Sequence, residues 1–137
     1  MSAAGRRRLE AELECTPEAA RAAREFVAAA LAAWDLDDEN RLAALLTSEV
    51  VTNAVLHAHS NCRLAIEHIP PEVMVEVWDR SPQVPAVQLP DLHTEKGRGL
   101  FLVQSLSSRW GMRPAGEGKA VWFAVNLSPL RGAPAAF

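Results

Sequence analysis

Cysteine is scarce in this chain. Cys15 and Cys62 are its only two, with no Cys-x-x-Cys pair and no zinc-ligand spacing. A disulfide framework and a structural zinc module are thereby set aside, and two buried thiols in a reducing cytoplasm are expected. No apolar run approaches the ~20 residues that span a bilayer, and no secretory signal is visible. An excess of one charge is missing too. Fourteen Lys and Arg against seventeen Asp and Glu leave −3, which gives no reason to expect nucleic acid. Arg6-Arg7-Arg8 reads as a short solvated run. His59, His68 and His93 share no metal-ligand spacing, and there is no internal repeat. The expectation is a soluble cytoplasmic protein without a membrane or nucleic-acid partner.

The chain has 137 residues, 49% of them hydrophobic and 23% charged. That is an ordinary globular balance and enough for one domain with its own core. The core is expected over about residues 9–127, with flexible ends.

Strand and helix patterns follow one another along the chain. Leu9, Ala11, Leu13 and Cys15 alternate with Glu10, Glu12 and Glu14, a half-buried strand. Thr16-Pro17-Glu18 supplies an N-cap, a first-turn proline and an acid. The Ala-rich helix that follows, to about Trp34, has Ala23, Phe26, Val27, Ala30 and Leu31 as its stripe. A second start signal, Asp35 to Asp38, opens a helix to about His59. Two alternating runs, Cys62 to Glu67 and Val73 to Asp79, flank a Pro70-Pro71 turn. A long proline-bearing loop and a short helix from Gly99 come next. A strand over Arg109 to Arg113, a Gly116-Glu117-Gly118 turn and a last strand over Lys119 to Leu127 complete the pattern. The tail from Ser128 is expected to fray. The pattern predicts an α+β protein, a two-layer α/β sandwich with a mixed, mostly antiparallel sheet and helices on one face.

Chemistry concentrates at a few places. Glu49 and Asn53 stand at i and i+4 and share a helix face. A carboxylate that takes a proton and an amide oxygen that ligates a hard cation, one turn apart, suit phosphate chemistry around Mg²⁺. Gly97-Arg98-Gly99 opens a helix after a loop, a geometry in which free amides and the helix dipole favour an anion. Asp79 ends a strand before the long loop, and Gly118-Lys119 opens the last strand. The four tryptophans read equally as core or edge aromatics and as a partner surface.

This ordered set resembles the GHKL superfamily, the Bergerat-fold ATP-binding domain of gyrase B, the large heat-shock chaperones, sensor histidine kinases and MutL. At this size it looks most like the anti-sigma-factor serine/threonine kinases of the RsbW/SpoIIAB type. The resemblance covers about residues 9–127. It implies that Asn53 ligates the Mg²⁺ bridging the phosphates of ATP and that Glu49 is the general base. Asp79 would accept the adenine amino group, with Gly118 and Lys119 packed beside the adenine pocket. Arg80 to Lys96 would form the lid. Gly97, Arg98, Gly99 and Leu100 would make the phosphate-binding box, with Lys96 adding charge.

The implied partners are a sigma factor, which is sequestered, and an anti-anti-sigma protein of the STAS type, which is phosphorylated; a homodimer is also implied. One departure stands out. The family's Asp-x-Gly-x-Gly box reads Asp79-Arg80-Ser81-Pro82-Gln83-Val84-Pro85 here. Proline fixes φ and removes an amide, so this turn does not copy a glycine turn. The second reading is therefore a non-catalytic partner-binding regulator of the same fold, with ATP weak or absent.

Overall fold

The computed structural model describes residues 6–80 and 98–130, with backbone alone at 57, 58 and 98–101. Its main sheet has the order β1-β3-β4-β6-β5, formed by β1 (Arg7–Leu13), β3 (Cys62–Ile69), β4 (Glu72–Asp79), β6 (Gly118–Asn126) and β5 (Arg109–Ala115). Every pairing is antiparallel, so among the described residues the sheet is not mixed. Short turns join β3 to β4 and β5 to β6, and such hairpins can only pair antiparallel.

Three helices lie on one face: α1 (Ala19–Ala33), α2 (Leu42–Asn53) and α3 (Arg98–Leu106). Period-2 alternation writes this layer into the strands. Val73, Val75 and Val77 of β4 oppose Val125, Phe123 and Val121 of β6, and all six point into the core. Cys62, Leu64 and Ile66 extend that face across β3, as predicted. From α1, the predicted Ala23, Val27, Ala30 and Leu31 are buried against it, with Phe26 partly so.

The opposite face carries no helix among the described residues. It is laced with ion pairs, Arg109–Glu72 and Arg113–Glu76 each at 2.7 Å. The guanidinium of Arg63 lies 4.6 Å from the Trp78 ring centre and that of Arg109 lies 5.5 Å from Trp122. Trp34 is buried, and Trp110 packs against the core.

Several expectations shift. The first strand runs two residues earlier than predicted, and Leu9 is 43% exposed. In β1, an edge strand, only Leu13 is buried, so alternation there does not bring burial. Helix α1 starts at Ala19 rather than at Pro17. The Thr16 side chain does not cap it; the Thr16 carbonyl accepts the Ala19 N–H instead. Cys15 is half-buried rather than buried. Ser128–Pro129 does not fray but pairs as β7 with β2 (Leu36–Asp37), and Leu130 N–H donates to the Asp35 carbonyl.

Helix α2 begins beyond a left-handed kink at Asn40 and Arg41, both with φ near +55°. Asp38 spans the kink, its two carboxylate oxygens accepting the Ala43 and Ala44 amides at 2.8 and 3.1 Å. Carboxylate capping of this kind contributes about 1–2 kcal/mol and favours the helix dipole.

His68 faces inward near the hairpin end of β3, 8% exposed and stacked on Trp34 with ring centres 6.1 Å apart. Its Nδ1 is buried without a hydrogen-bond partner. Burial, and secondarily Arg7 across the β1–β3 pair, lower its pKa from the usual 6.5. The unfolded chain therefore binds a proton that the fold rejects, and stability falls as pH drops below about 6.5. His68→Phe keeps a ring against Trp34 and should flatten this acid slope without loss of stability at about pH 8. Urea midpoints of both proteins at about pH 8 and pH 5.5 measure it, and parallel slopes would clear His68 of the effect.

Candidate functional site

Helix α2 is the most buried helix of the protein's described part. Ala43, Ala44, Leu46, Thr47, Ser48, Val50 and Val51 are all covered. Thr47 and Ser48 tolerate burial because their hydroxyls donate back to the Ala43 and Leu45 carbonyls, each at 2.8 Å. What remains open is one stripe: Leu45 and Leu56 exposed, with Leu42, Glu49, Thr52, Asn53 and Val55 half-buried along it. Positions 45, 49 and 53 are successive i+4 steps, so the acid and the amide share the accessible line of a helix otherwise packed away.

Immediately after Asn53 the helix widens into a π turn over Ala54–Ala58 and stops at His59, whose φ is +51°. Wide turns of this kind are frequent at functional sites. Two polar residues then tie the neighbouring chain ends together. Asn61 Oδ1 accepts the Cys15 amide at 2.9 Å, and Ser60 Oγ accepts the Arg80 amide at 3.2 Å. Neither was singled out in the sequence. A Ser-Asn pair between a helix end and a strand was the available signal.

Asp79 ends β4 on the core side of the sheet and is 7% exposed. Lys119 stands opposite it as cross-strand partner, also 7% exposed. Its Nζ lies 3.0 Å from Oδ1 and 2.9 Å from Oδ2. Cys62 sits beside Asp79 on the other flank. Burial, with lesser contributions from Asp79 and Cys15, pushes its thiol up to about 11, so it is neutral and unreactive at neutral pH. Gly118 holds β6 against the end of β4. A Cβ there would fall 1.8 Å from the Asp79 carbonyl oxygen, so only glycine permits this approach. A cavity of about 140 Å³ opens beside Asp79, lined by Glu12, Asn61, Cys62, Arg63, Trp78 and Arg80.

The structure thus places Glu49 with Asn53 on one stripe of α2, and Asp79 with Gly118 and Lys119 at one end of the β4–β6 pair. Arg98, Gly99 and Leu100 form the first turn of α3, which packs on α2. Gly97, Lys96 and the predicted lid beyond Arg80 lie outside the described residues. A shallow groove of about 730 Å³ runs between α1 and the start of α2, reaching Leu45. Neither Glu49, Asn53, Asp79 nor Lys119 lines it, so it is not the chemical site.

Among the described residues no three His, Cys, Asp or Glu side chains converge on a metal position. The donor set still suits Mg²⁺, which takes one or two protein oxygens and completes its shell with phosphates and water. A buried carboxylate lies at a strand terminus where a missing side chain keeps two strands close.

An open antiparallel sheet with helices on one face, an acid–amide helix and a buried carboxylate at a strand end defines a Bergerat-fold, ATPase-type domain. The family model for the histidine kinase-like ATPase domain matches residues 13–125, and the chain belongs to that family. Among solved structures, the RsbU and RsbW domains of a Mycobacterium tuberculosis protein match with a TM-score of 0.69 and 22% identity over 96% of this chain. At that identity the likeness is one of fold, and the match covers 35% of the chain in that structure. No curated protein matches significantly. No helix among the described residues is long and apolar enough to cross a membrane.

Proposed function

We propose that this domain is a Mg-ATP-dependent regulatory serine/threonine kinase that acts in the cytoplasm on an anti-anti-sigma partner of the STAS type and sequesters a sigma factor. The observation that carries this reading is that Glu49 and Asn53 are half-buried, one turn apart, on the open stripe of a helix whose other face is buried. A scaffold has no use for a half-buried acid and amide kept accessible one turn apart. The RsbW-like fold supports the choice of partners.

Bound Mg-ATP supplies the activated phosphoryl group. Asn53 would hold the cation through its amide oxygen, and Glu49 would take the proton of the attacking serine or threonine hydroxyl. Asp79 would accept the adenine amino group. The resemblance would assign the phosphate contacts to the amides of Gly97, which lies outside the described residues, and Gly99, with charge from Arg98. Positioning and charge neutralisation carry most of such a transfer, so a moderate base suffices.

A second reading has its own support. Asp79 is engaged by Lys119, and the chain after Asp79 lacks the family's glycines. A partner-holding regulator with weak or no nucleotide binding fits those two facts. Calorimetric titration with ATP, ADP and GTP, with and without Mg²⁺, separates the two. Adenine-selective, Mg-dependent binding is expected. No heat from any nucleotide would turn the reading to the non-catalytic regulator.

A further inference from the structure

Among the described residues nothing pairs with the outer edge of β1, and the chain is exposed from Arg6 to Glu10. Leu9 keeps its place in the period-2 pattern yet stays 43% exposed. Arg6, Arg8, Glu10 and Glu12 point the other way and continue the helix-free face of the sheet, with Arg8 opposite Glu67 and Glu12 opposite Arg63. Their signs are segregated, basic in the first half of the strand and acidic in the second. Charges at a sheet edge ordinarily keep other strands away. This order instead welcomes one kind of strand, a copy of itself running antiparallel.

We infer that the free edge of β1 is a self-recognition surface, at which two copies of this chain join by antiparallel pairing of β1 with β1 about a two-fold axis through Leu9. An axis perpendicular to the sheet sets two edge strands antiparallel and keeps both helix layers on the same side. Such an axis passes through a single residue position, and residues spaced equally on either side of it then face each other. Through Arg8 it would set Arg8 against Arg8, and through Glu10 it would set Glu10 against Glu10. Through Arg7 or Ala11 it would oppose Arg6 to Arg8 or Glu10 to Glu12. Through Leu9 every charge finds its opposite: Arg8 faces Glu10 of the second copy and Arg6 faces Glu12, each twice by symmetry. On the helix side Leu9 meets Leu9, which supplies the cover that one copy lacks.

Within one copy Arg6 already bonds Glu67 at 2.7 Å and Arg8 bonds Glu10 at 3.1 Å. These are surface pairs, worth little singly, so they exchange partners at little cost. Backbone hydrogen bonds along the two edges carry the affinity, while the charge order sets direction and register. The inference goes beyond the kinase reading and does not rest on it.

The test is sedimentation equilibrium of the full chain without nucleotide. It compares wild type, Arg8→Glu, Glu10→Arg, the double variant carrying both, and an equimolar mixture of the two single variants. Wild type should dimerise, less tightly as salt rises. Each single variant opposes like charges twice across the axis, so its dimer should dissociate roughly tenfold or more easily. The mixture should return to near the wild-type constant, because a copy acidic at both positions faces a copy basic at both. The double variant, with its two signs exchanged, should pair with itself. Neither recovery is a folding effect in the mixture, since each single variant brings its own intrachain repulsion with it. A wild type that stays monomeric up to about 1 mM would overturn the inference. So would single variants that dimerise as wild type does, the mark of a dimer held by another surface, or a mixture no tighter than its components. Nucleotide titrations do not enter this result, so failure of the ATP reading and failure of the β1 pairing are told apart.

Discussion

Gly118→Ala should lower the free energy of unfolding by about 3–5 kcal/mol, a large share of the 5–15 kcal/mol that holds a domain of this size together. The reason is geometric. A Cβ on residue 118 would sit 1.8 Å from the Asp79 carbonyl oxygen and 2.6 Å from the Arg80 Cα. Both are main-chain atoms and cannot swing aside as a side-chain tip does. The strands must part, and the rung they close first is Asp79 with Lys119, whose two charges then lose each other in a buried place. Removing the partner of a buried ion is among the costlier changes a fold meets.

Gly116→Ala is the control. Its φ is +58°, but nothing lies within 4 Å of the new methyl group. The expected cost is left-handed backbone strain alone, about 1–2 kcal/mol. Urea unfolding of the three proteins tests the contrast. Equal losses at 116 and 118 would mean that β4 and β6 relax freely and that close approach at Asp79 matters little. A selective loss at 118, accompanied by weakened nucleotide binding, would tie strand closure to the site.

Half-buried strands announce themselves because one period-2 face must be apolar. That is why Val73, Val75, Val77, Val121, Phe123 and Val125 could be placed from their spacing. The same alternation in β1 misled, since spacing does not say which strand is the edge and Leu9 gains no cover there. The pairing of β2 with β7 left no pattern, being two residues long on each side with a proline in it. Glu49 and Asn53 were legible because a helix turns local spacing into a shared face. Their accessibility was not, for it depends on how α1, α3 and the sheet cover the rest of α2. The Asp79–Lys119 pair joins residues 40 apart. It is a product of the β4–β6 register, so each residue could be marked singly but not as a pair.

Glu49→Gln should reduce phosphoryl transfer by about 10²–10⁴-fold, the usual contribution of a positioned base. Nucleotide affinity should hardly change. The substitution keeps the shape and one carbonyl acceptor of the side chain but cannot take up the hydroxyl proton. A base acts as the transition state forms, so its loss appears in turnover and not in ground-state binding. Asn53→Ala should show the reverse. It removes the amide oxygen offered to the cation, so ADP binding in Mg²⁺ should weaken about tenfold or more. Binding measured without Mg²⁺ should stay as it was.

Calorimetry gives the affinities, and ATP turnover with a STAS-type partner or water as acceptor gives the rate. Both positions are half-buried on the open stripe of α2, so neither substitution disturbs the packed side of the helix, and thermal unfolding of each variant checks this. Wild-type turnover in Glu49→Gln would remove Glu49 from the chemistry. Parallel loss of affinity and rate in both variants would instead make the stripe a structural support. A base and a cation ligand predict opposite signatures from residues one turn apart, and no general weakening of α2 produces that crossing.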